Sequence, residues 1–367
     1  MLEENNINIS DEQLDTENNT QVEKEPLPVY YEQQPKLENP YQQILEKHRK
    51  RKEIRRIALA MGLSMLSLTV VSYLFSFVYL LFSWVVAKLS LAQTIAFIEN
   101  PAMQQVLQIM ISSFAFLVPF TLAAKCLGVR IDKTIKFEKP QKGTFLPFVL
   151  IGIGFCSFAN IAMSLASSIF DLFGVDYSVD FGDSPKGIFG FLLSFIATAI
   201  VPALVEEFAC RGIMLGLLKK HGAAFAIVVS SIVFGIMHGN FEQIPFAMLV
   251  GLILGYVYVK TESFWTCVTV HFANNAISVI LTYLEDFIGV NIQNLIYVVY
   301  LIVSMLAALI GAMLISKRDE QQFEIEENND ETETVTLKQK YVWFFTSPAI
   351  ILFIIVNLLQ SLTFFFI

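Results

Sequence analysis

The sequence predicts an all-α protein, a polytopic bundle of about eight to nine transmembrane helices preceded by a disordered acidic N-terminal tail. Hydrophobic residues make up 55% of the 367-residue chain and charged residues only 16%. Apolar runs of about 20 residues, the length that crosses a hydrocarbon core of about 30 Å, recur along most of the chain. We therefore expect a multi-pass protein of the cell membrane.

These apolar runs define nine candidate spans. In chain order they are 57–86, 103–127, 144–172, 188–218, 222–239, 241–259, 264–284, 293–316 and 341–367. The fifth and sixth are the shortest. Residues 57–316 form one predicted membrane domain, and 341–367 is predicted to be an additional helix beyond it.

The charges of the connecting segments predict the orientation, because Lys and Arg accumulate in short cytoplasmic loops. Seven basic residues fall in the polybasic juxtamembrane segment 47–56, which places the N-terminus in the cytoplasm. Acidic residues such as Asp171 and Asp176 dominate a loop that then lies outside. With nine spans, the C-terminus is outside as well.

Two polar segments account for much of the net negative charge. Residues 1–46 form a predicted cytoplasmic tail and residues 317–340 a predicted acidic cytoplasmic loop. The segments 1–46 and 319–334 are rich in Glu, Asp, Asn and Gln and are expected to be disordered. The polybasic segment 47–56 is expected to lie against anionic lipid. The expected partner of this segment is therefore the lipid bilayer, and we do not expect it to bind nucleic acid. The Asn-, Ile- and Phe-rich composition indicates a bacterial source.

The most informative residues are ionisable groups inside the fourth span. A charged side chain at the membrane centre costs a few kcal/mol, so it usually faces the bundle interior and serves a function. Glu207 and Arg211 are spaced i, i+4 and are predicted to form an ion pair on one helix face. The neighbouring Glu206 points about 100° away and is left available for chemistry.

Later spans add further polar groups at a comparable depth. His238 ends the fifth span, and His271 and Asn275 share one face of the seventh. At 1.5 Å per residue, Glu206, His238 and His271 lie about 18–20, 24 and 13 Å from the cytoplasmic side. Pro202 is expected to bend the helix one turn before Glu206. The sequence therefore predicts a polar cavity near the middle of the membrane.

Three motifs in this order resemble the CAAX-protease and bacteriocin-processing family of intramembrane proteases, also called CPBP or Abi, which includes type II CAAX prenyl endopeptidases. They are EExxxR at 206–211, FxxxH at 234–238 and HxxxN at 271–275, all within a motif core at about 190–280. Each motif alone is weak, but the three together are fairly specific.

The resemblance implies a role for each matching residue. Glu206, helped by His238, would activate water, while His271 and Asn275 would stabilise the oxyanion. Glu207 and Arg211 would support the site structurally. A carboxylate near an imidazole suits general-base chemistry, and imidazole and amide donors suit a tetrahedral oxyanion. The implied activity is an intramembrane endopeptidase cleaving a membrane-embedded or lipidated protein, lipopeptide or leader peptide.

The sequence does not decide whether the protein uses a metal cofactor. Glu206, His238 and His271 could together ligate zinc and leave a position for water. The chain has no HExxH motif, however, and a glutamate mechanism needs no metal. The sequence therefore requires no cofactor, while a divalent metal on these three residues is the alternative.

Two other classes of function compete with proteolysis. The first is a non-proteolytic membrane scaffold or bacteriocin-immunity factor, which would keep its phenotype in a Glu206→Ala variant. The second is a proton-coupled transporter, in which Glu206 and the histidines would relay protons. A transporter would move substrate along a pH gradient in proteoliposomes. The chain shows no internal repeat of the kind that many transporters have.

Overall fold

A computed structural model describes residues 39–86, 88, 90–173, 183–318, 323–325 and 335–363. The regular structure in these ranges is helical throughout, which confirms the all-α class. The predicted disordered tail falls mostly outside the described residues, as do 319–322 and 326–334 of the predicted acidic loop. Residues 40–46 of that predicted tail are helical, so here the sequence prediction was wrong: the first helix begins at Pro40, a residue favoured at a helix start.

Fourteen α-helices lie in the described ranges. They are α1 Pro40–Leu81, α2 Leu91–Ile98, α3 Pro101–Cys126, α4 Ile131–Thr134, α5 Phe145–Leu172, α6 Gly187–Ser194, α7 Val201–Glu207, α8 Gly216–Leu218, α9 Ala223–Ile236, α10 Gln243–Thr261, α11 Phe264–Ile288, α12 Val290–Ser316, α13 Leu337–Phe345 and α14 Pro348–Thr363.

Seven helical segments of the described chain are long and apolar enough to cross a membrane, and a bent pair makes an eighth if it is counted as one span. That pair is α13 and α14, which meet at 69° in the predicted ninth span. The predicted fifth span contains α9, whose 14 residues extend only about 21 Å. Because the side of each loop depends on the number of crossings, the orientation stays a prediction.

The polybasic segment 47–56 forms early turns of α1 rather than a separate element. Glu53 on this helix pairs with Lys220, and its carboxylate lies 3.7 Å from His221 Nε2. Both partners belong to the short 3₁₀ turn Lys219–His221 that ends the fourth span. These contacts tie the start of α1 to the element that carries the two adjacent glutamates.

The fourth span is a continuous helical segment, Gly187–His221, but it is not a regular α-helix. Two π-helical stretches, Phe195–Ile200 and Phe208–Leu215, flank α7. π-Helical turns inside α-helices are frequent at functional sites because they shift the register of the side chains that follow. The first stretch ends two residues before Pro202, where the sequence predicts a bend.

Small residues let the helices around α7 approach closely. A Cβ on Gly251 of α10 would lie 3.0 Å from the Cα of Ser231 in α9, so only glycine fits there without a shift. A Cβ on Gly152 of α5 would lie 2.7 Å from the side chain of Val270 in α11. These two contacts pack α10 closely against α9 and α5 closely against α11.

Candidate active site

The six residues predicted from the motifs meet at one place. Glu206, His238, His271 and Asn275 line a cavity of about 600 Å³. Glu207 and Arg211 are fully buried. The structure therefore brings the predicted residues together from α7, the π-helical turn after it, the end of α9, and α11.

Glu207 is the centre of a buried polar network. Its Oε1 accepts a hydrogen bond from Arg211 Nη1 at 2.9 Å, as the i, i+4 spacing predicts, and another from His271 Nδ1 at 2.8 Å. Arg211 Nη2 also donates to the carbonyl of Gly251 at 3.2 Å. The link from Glu207 to His271 was missed in the sequence, because nothing in the spacing shows which helix lies against Glu207.

This link defines the orientation of His271. A carboxylate only accepts hydrogen bonds, so Nδ1 carries the proton that bonds Glu207. The other ring nitrogen, Nε2, lies 3.9 Å from Glu206 Oε2. That separation is too long for a direct hydrogen bond, but one water molecule can bridge it. Glu206 retains 14% side-chain exposure, whereas Glu207 retains none.

Phe234 packs against three of the site residues. The Arg211 guanidinium lies 4.3 Å from the centre of its ring, a cation–π contact. The imidazole rings of His238 and His271 meet it edge-on, with centroid separations of 5.2 and 5.9 Å. The phenylalanine of the FxxxH motif thus keeps both histidines in place.

The turn after α9 fixes His238. Its Nδ1 donates to the carbonyl of Phe234 at 2.8 Å, so Nε2 is the nitrogen free for chemistry. The side chain of Asn240 donates to the His238 carbonyl at 3.1 Å, and its Oδ1 accepts from the backbone of Gln243 at 2.8 Å. Gly239 has φ +65°, a conformation that glycine adopts without strain.

Asn275 is held by the interrupted helix opposite it. Pro202 has no N–H to donate to the carbonyls four and five residues earlier, those of Thr198 and Ala197. Asn275 Nδ2 donates to the Thr198 carbonyl at 2.9 Å, and Gln108 Nε2 donates to the Ala197 carbonyl at 3.5 Å. The proline therefore leaves the Thr198 carbonyl free to accept from Asn275, and this hydrogen bond positions the Asn275 side chain. Only one of the two Nδ2 hydrogens of Asn275 is used in this bond.

The residues present do not fit the metal alternative. Within the described ranges, no three His, Cys, Asp or Glu side chains are arranged to hold a metal ion. His271 uses Nδ1 on Glu207, and its Nε2 is 3.9 Å from Glu206. Two ligands of one zinc ion at about 2 Å each could be this far apart, but His238, the third proposed ligand, does not complete the set. We derive no step through a metal.

A further wall of the cavity was not anticipated from the sequence. Gln293, Asn294, Tyr297 and Tyr300 of α12 line the same space as Glu206, as does Asn160 of α5. On α12, Gln293, Tyr297 and Tyr300 have i, i+4, i+7 spacing and Asn294 adjoins the first of them, which is a helical periodicity that could have identified this face. Their lack of charge made them inconspicuous in the sequence.

The fold and the site define a class of protein: a multi-pass helical membrane protein whose bundle contains a cavity bearing a carboxylate, two imidazoles and an amide. Residues 188–277 match the family described as Type II CAAX prenyl endopeptidase Rce1-like. This region is thus similar to this peptidase family, and the resemblance inferred from the three motifs is confirmed for it.

A relative from Bacillus subtilis (strain 168), named "Putative membrane peptidase YdiL", is similar over a limited length. It is 30% identical over 90 residues, which are 24% of this chain and 37% of that protein. No solved structure matches the chain.

Proposed function

We propose that this protein is an intramembrane endopeptidase that cleaves a membrane-associated protein, lipopeptide or leader peptide with water activated by Glu206. The observation that carries the proposal is the contrast between two adjacent carboxylates. Glu207 is neutralised by Arg211 and hydrogen-bonded to His271, whereas Glu206 makes neither contact and lines the cavity with both histidines.

In this mechanism, Glu206 accepts a proton from a water molecule, and the water oxygen attacks the carbonyl carbon of the substrate peptide. His238 lines the same cavity, and its free Nε2 helps to orient that water. Collapse of the tetrahedral intermediate breaks the C–N bond, and the proton held by Glu206 passes to the departing amine.

The oxyanion of that intermediate needs hydrogen-bond donors. His271 Nε2 supplies one donor when both ring nitrogens carry a proton, with Nδ1 donating to Glu207 at 2.8 Å. The second Nδ2 hydrogen of Asn275 supplies the other bond. Arg211 holds Glu207 in place through the hydrogen bond at 2.9 Å, so its role is to position Glu207 and His271 rather than to touch the substrate.

The test compares membrane peptides and mature protein N-termini, by mass spectrometry, in cells that make wild type, Glu206→Gln or the control Glu262→Gln. Glu262 lies between α10 and α11, and its side chain is 57% exposed. We expect specific fragments to disappear in Glu206→Gln at equal expression and to persist in the control. These fragments would also identify the substrate.

Matching profiles in all three strains would overturn the proteolytic proposal. If the phenotype of the wild type also persisted in Glu206→Gln, a scaffold or bacteriocin-immunity role would replace it. If purified protein in liposomes instead moved a solute along a pH gradient, and Glu206→Gln abolished that flux, proton-coupled transport would replace it.

A further inference from the structure

The cavity extends beyond the proposed catalytic residues to a surface of uncharged polar side chains. Gln293, Asn294, Tyr297 and Tyr300 of α12, together with Asn160 of α5, form what we name the amide–tyrosine wall. The four α12 residues lie outside the segment 188–277 that matches the peptidase family.

The wall is one face of a helix whose other face is apolar. Val298, Ile302 and Leu306 of α12 are between 51% and 56% exposed on the bundle surface, as expected for side chains that face lipid. Ser304, further along α12, is buried and donates to Ser157 of α5 at 2.7 Å, which anchors the two helices to each other. The polar side chains are therefore held toward the cavity by the packing of α12 on α5.

Neutral amides and phenols suit the backbone of an extended peptide. A peptide bond becomes accessible to attack only when the local helix unwinds, and each backbone N–H and C=O freed in this way costs several kcal/mol in lipid. Amide and hydroxyl groups can both donate and accept, so they can replace the lost backbone hydrogen bonds irrespective of the side chains of the substrate.

The charges around the cavity restrict the substrate further. Among the described lining residues, Glu206 is the one carboxylate, and no Lys or Arg is present. Arg211 is fully buried with both terminal nitrogens engaged, so it is not available to a ligand. A free C-terminal carboxylate or an acidic side chain would lose its hydration and meet Glu206, and the described lining has no Lys or Arg to compensate its charge.

Taking the proposed endopeptidase function as given, we infer that the amide–tyrosine wall binds the backbone of an extended internal segment of the substrate, one that carries neither acidic side chains nor the free C-terminal carboxylate. The wall determines affinity for the substrate, while Glu206 and its partners perform the chemistry.

Binding is tested with the full-length Glu206→Gln protein in detergent micelles, which leaves the wall intact and prevents cleavage. The probe is a 12-residue peptide of Ala, Gly, Ser, Thr and Val with an N-terminal fluorophore, made with a C-terminal amide, with a free carboxylate, and as the amide with two central Glu residues. Fluorescence anisotropy gives each Kd. We expect the plain amide to bind best and each anionic form to bind about tenfold more weakly.

Wall variants are then made in the same background. Asn294→Leu and Tyr297→Phe should each weaken binding of the amide peptide about fivefold, the effect of losing one hydrogen bond. Val298→Ala, on the lipid-facing side of α12, is the matched control and should leave Kd unchanged. Equal affinity in wall and control variants, no binding of the amide peptide to the folded protein, or a preference for the free carboxylate would each overturn the inference.

A final experiment with Glu206 intact distinguishes failure of the endopeptidase proposal from failure of the inference about the wall. If the wild type binds the amide peptide through the wall but never cleaves it, the endopeptidase proposal fails and the wall remains. If the wild type cleaves the peptide and wall variants show the same KM and kcat, the wall inference fails and the endopeptidase remains. A higher KM at nearly unchanged kcat supports both.

Discussion

Glu206 and Glu207 are adjacent and chemically identical, yet the same substitution should affect stability very differently at the two positions. Glu207 accepts two hydrogen bonds, from Arg211 and His271, and neither Glu207 nor Arg211 has any exposed surface. Glu207→Gln leaves Arg211 as a buried cation without a counter-charge, which typically costs about 3–5 kcal/mol. Because Gln keeps one oxygen that can accept, we expect a loss of about 3 kcal/mol.

Glu206→Gln should cost less than about 1 kcal/mol of unfolding free energy. Its carboxylate lies 3.9 Å from His271 Nε2, too far for a direct hydrogen bond, and it faces the cavity rather than a buried Arg or Lys. The unfolding free energies of wild type and both variants can be compared by SDS titration in mixed micelles. Equal losses at the two positions, or a larger loss for Glu206→Gln, would refute the assignment of the two roles.

A rescue variant separates loss of the charge balance from loss of the side-chain shape. Arg211→Met in the Glu207→Gln background removes the stranded cation, and paired removal of a buried ion pair is often neutral or stabilising. We therefore expect the double variant to recover at least half of the stability lost in Glu207→Gln. Additive losses would show that the ion pair is not the reason for the sensitivity of this position.

Three further outcomes are expected. Asn275→Ala deprives the Thr198 carbonyl of its donor, so unfolding free energy should fall by about 1 kcal/mol and turnover of an identified substrate by about 10²–10³-fold. Gly239→Ala forces a side chain to adopt φ +65° and should cost about 1–2 kcal/mol in the same SDS titration. A hydrogen bond from Lys219 holds the pKa of Glu262 below its ordinary value of 4.5, against the effect of burial, so the small stabilisation is present above about pH 4.5 and is lost as pH falls through the lowered value. Glu262→Gln should remove this component from a pH titration of stability, and an unchanged profile would contradict it.

Much of the architecture follows from local composition. Apolar runs of helical length identify most of the spans, because the cost of exposing backbone groups to lipid allows few structures other than helices. The same reasoning does not establish which runs cross the membrane. The run containing α9 looks like a span in sequence, but its helix has 14 residues, and the last run bends by 69° between α13 and α14.

The site shows the same division between short-range and long-range information. The pair Glu207–Arg211 could be predicted because i, i+4 neighbours on one helix meet whatever the rest of the chain does. The motif residues could be placed at a common depth from the helical rise. The bonds of Glu207 to His271 and of Asn275 to Thr198 join residues 64 and 77 positions apart, and no spacing rule predicts them.

Residue order and periodicity were thus enough to identify a helical membrane protein and the likeness of three motifs to a peptidase family, and to predict a site of six polar residues that the fold brings together. The packing of separate helices determined which side chains contact each other. Glu206 faces the cavity, Glu207 accepts hydrogen bonds from two donors, and the polar face of α12 lines the same cavity. The reason is physical. Local spacing specifies which side chains share a face of one helix, whereas contacts between helices depend on the shapes of all the surfaces that pack together.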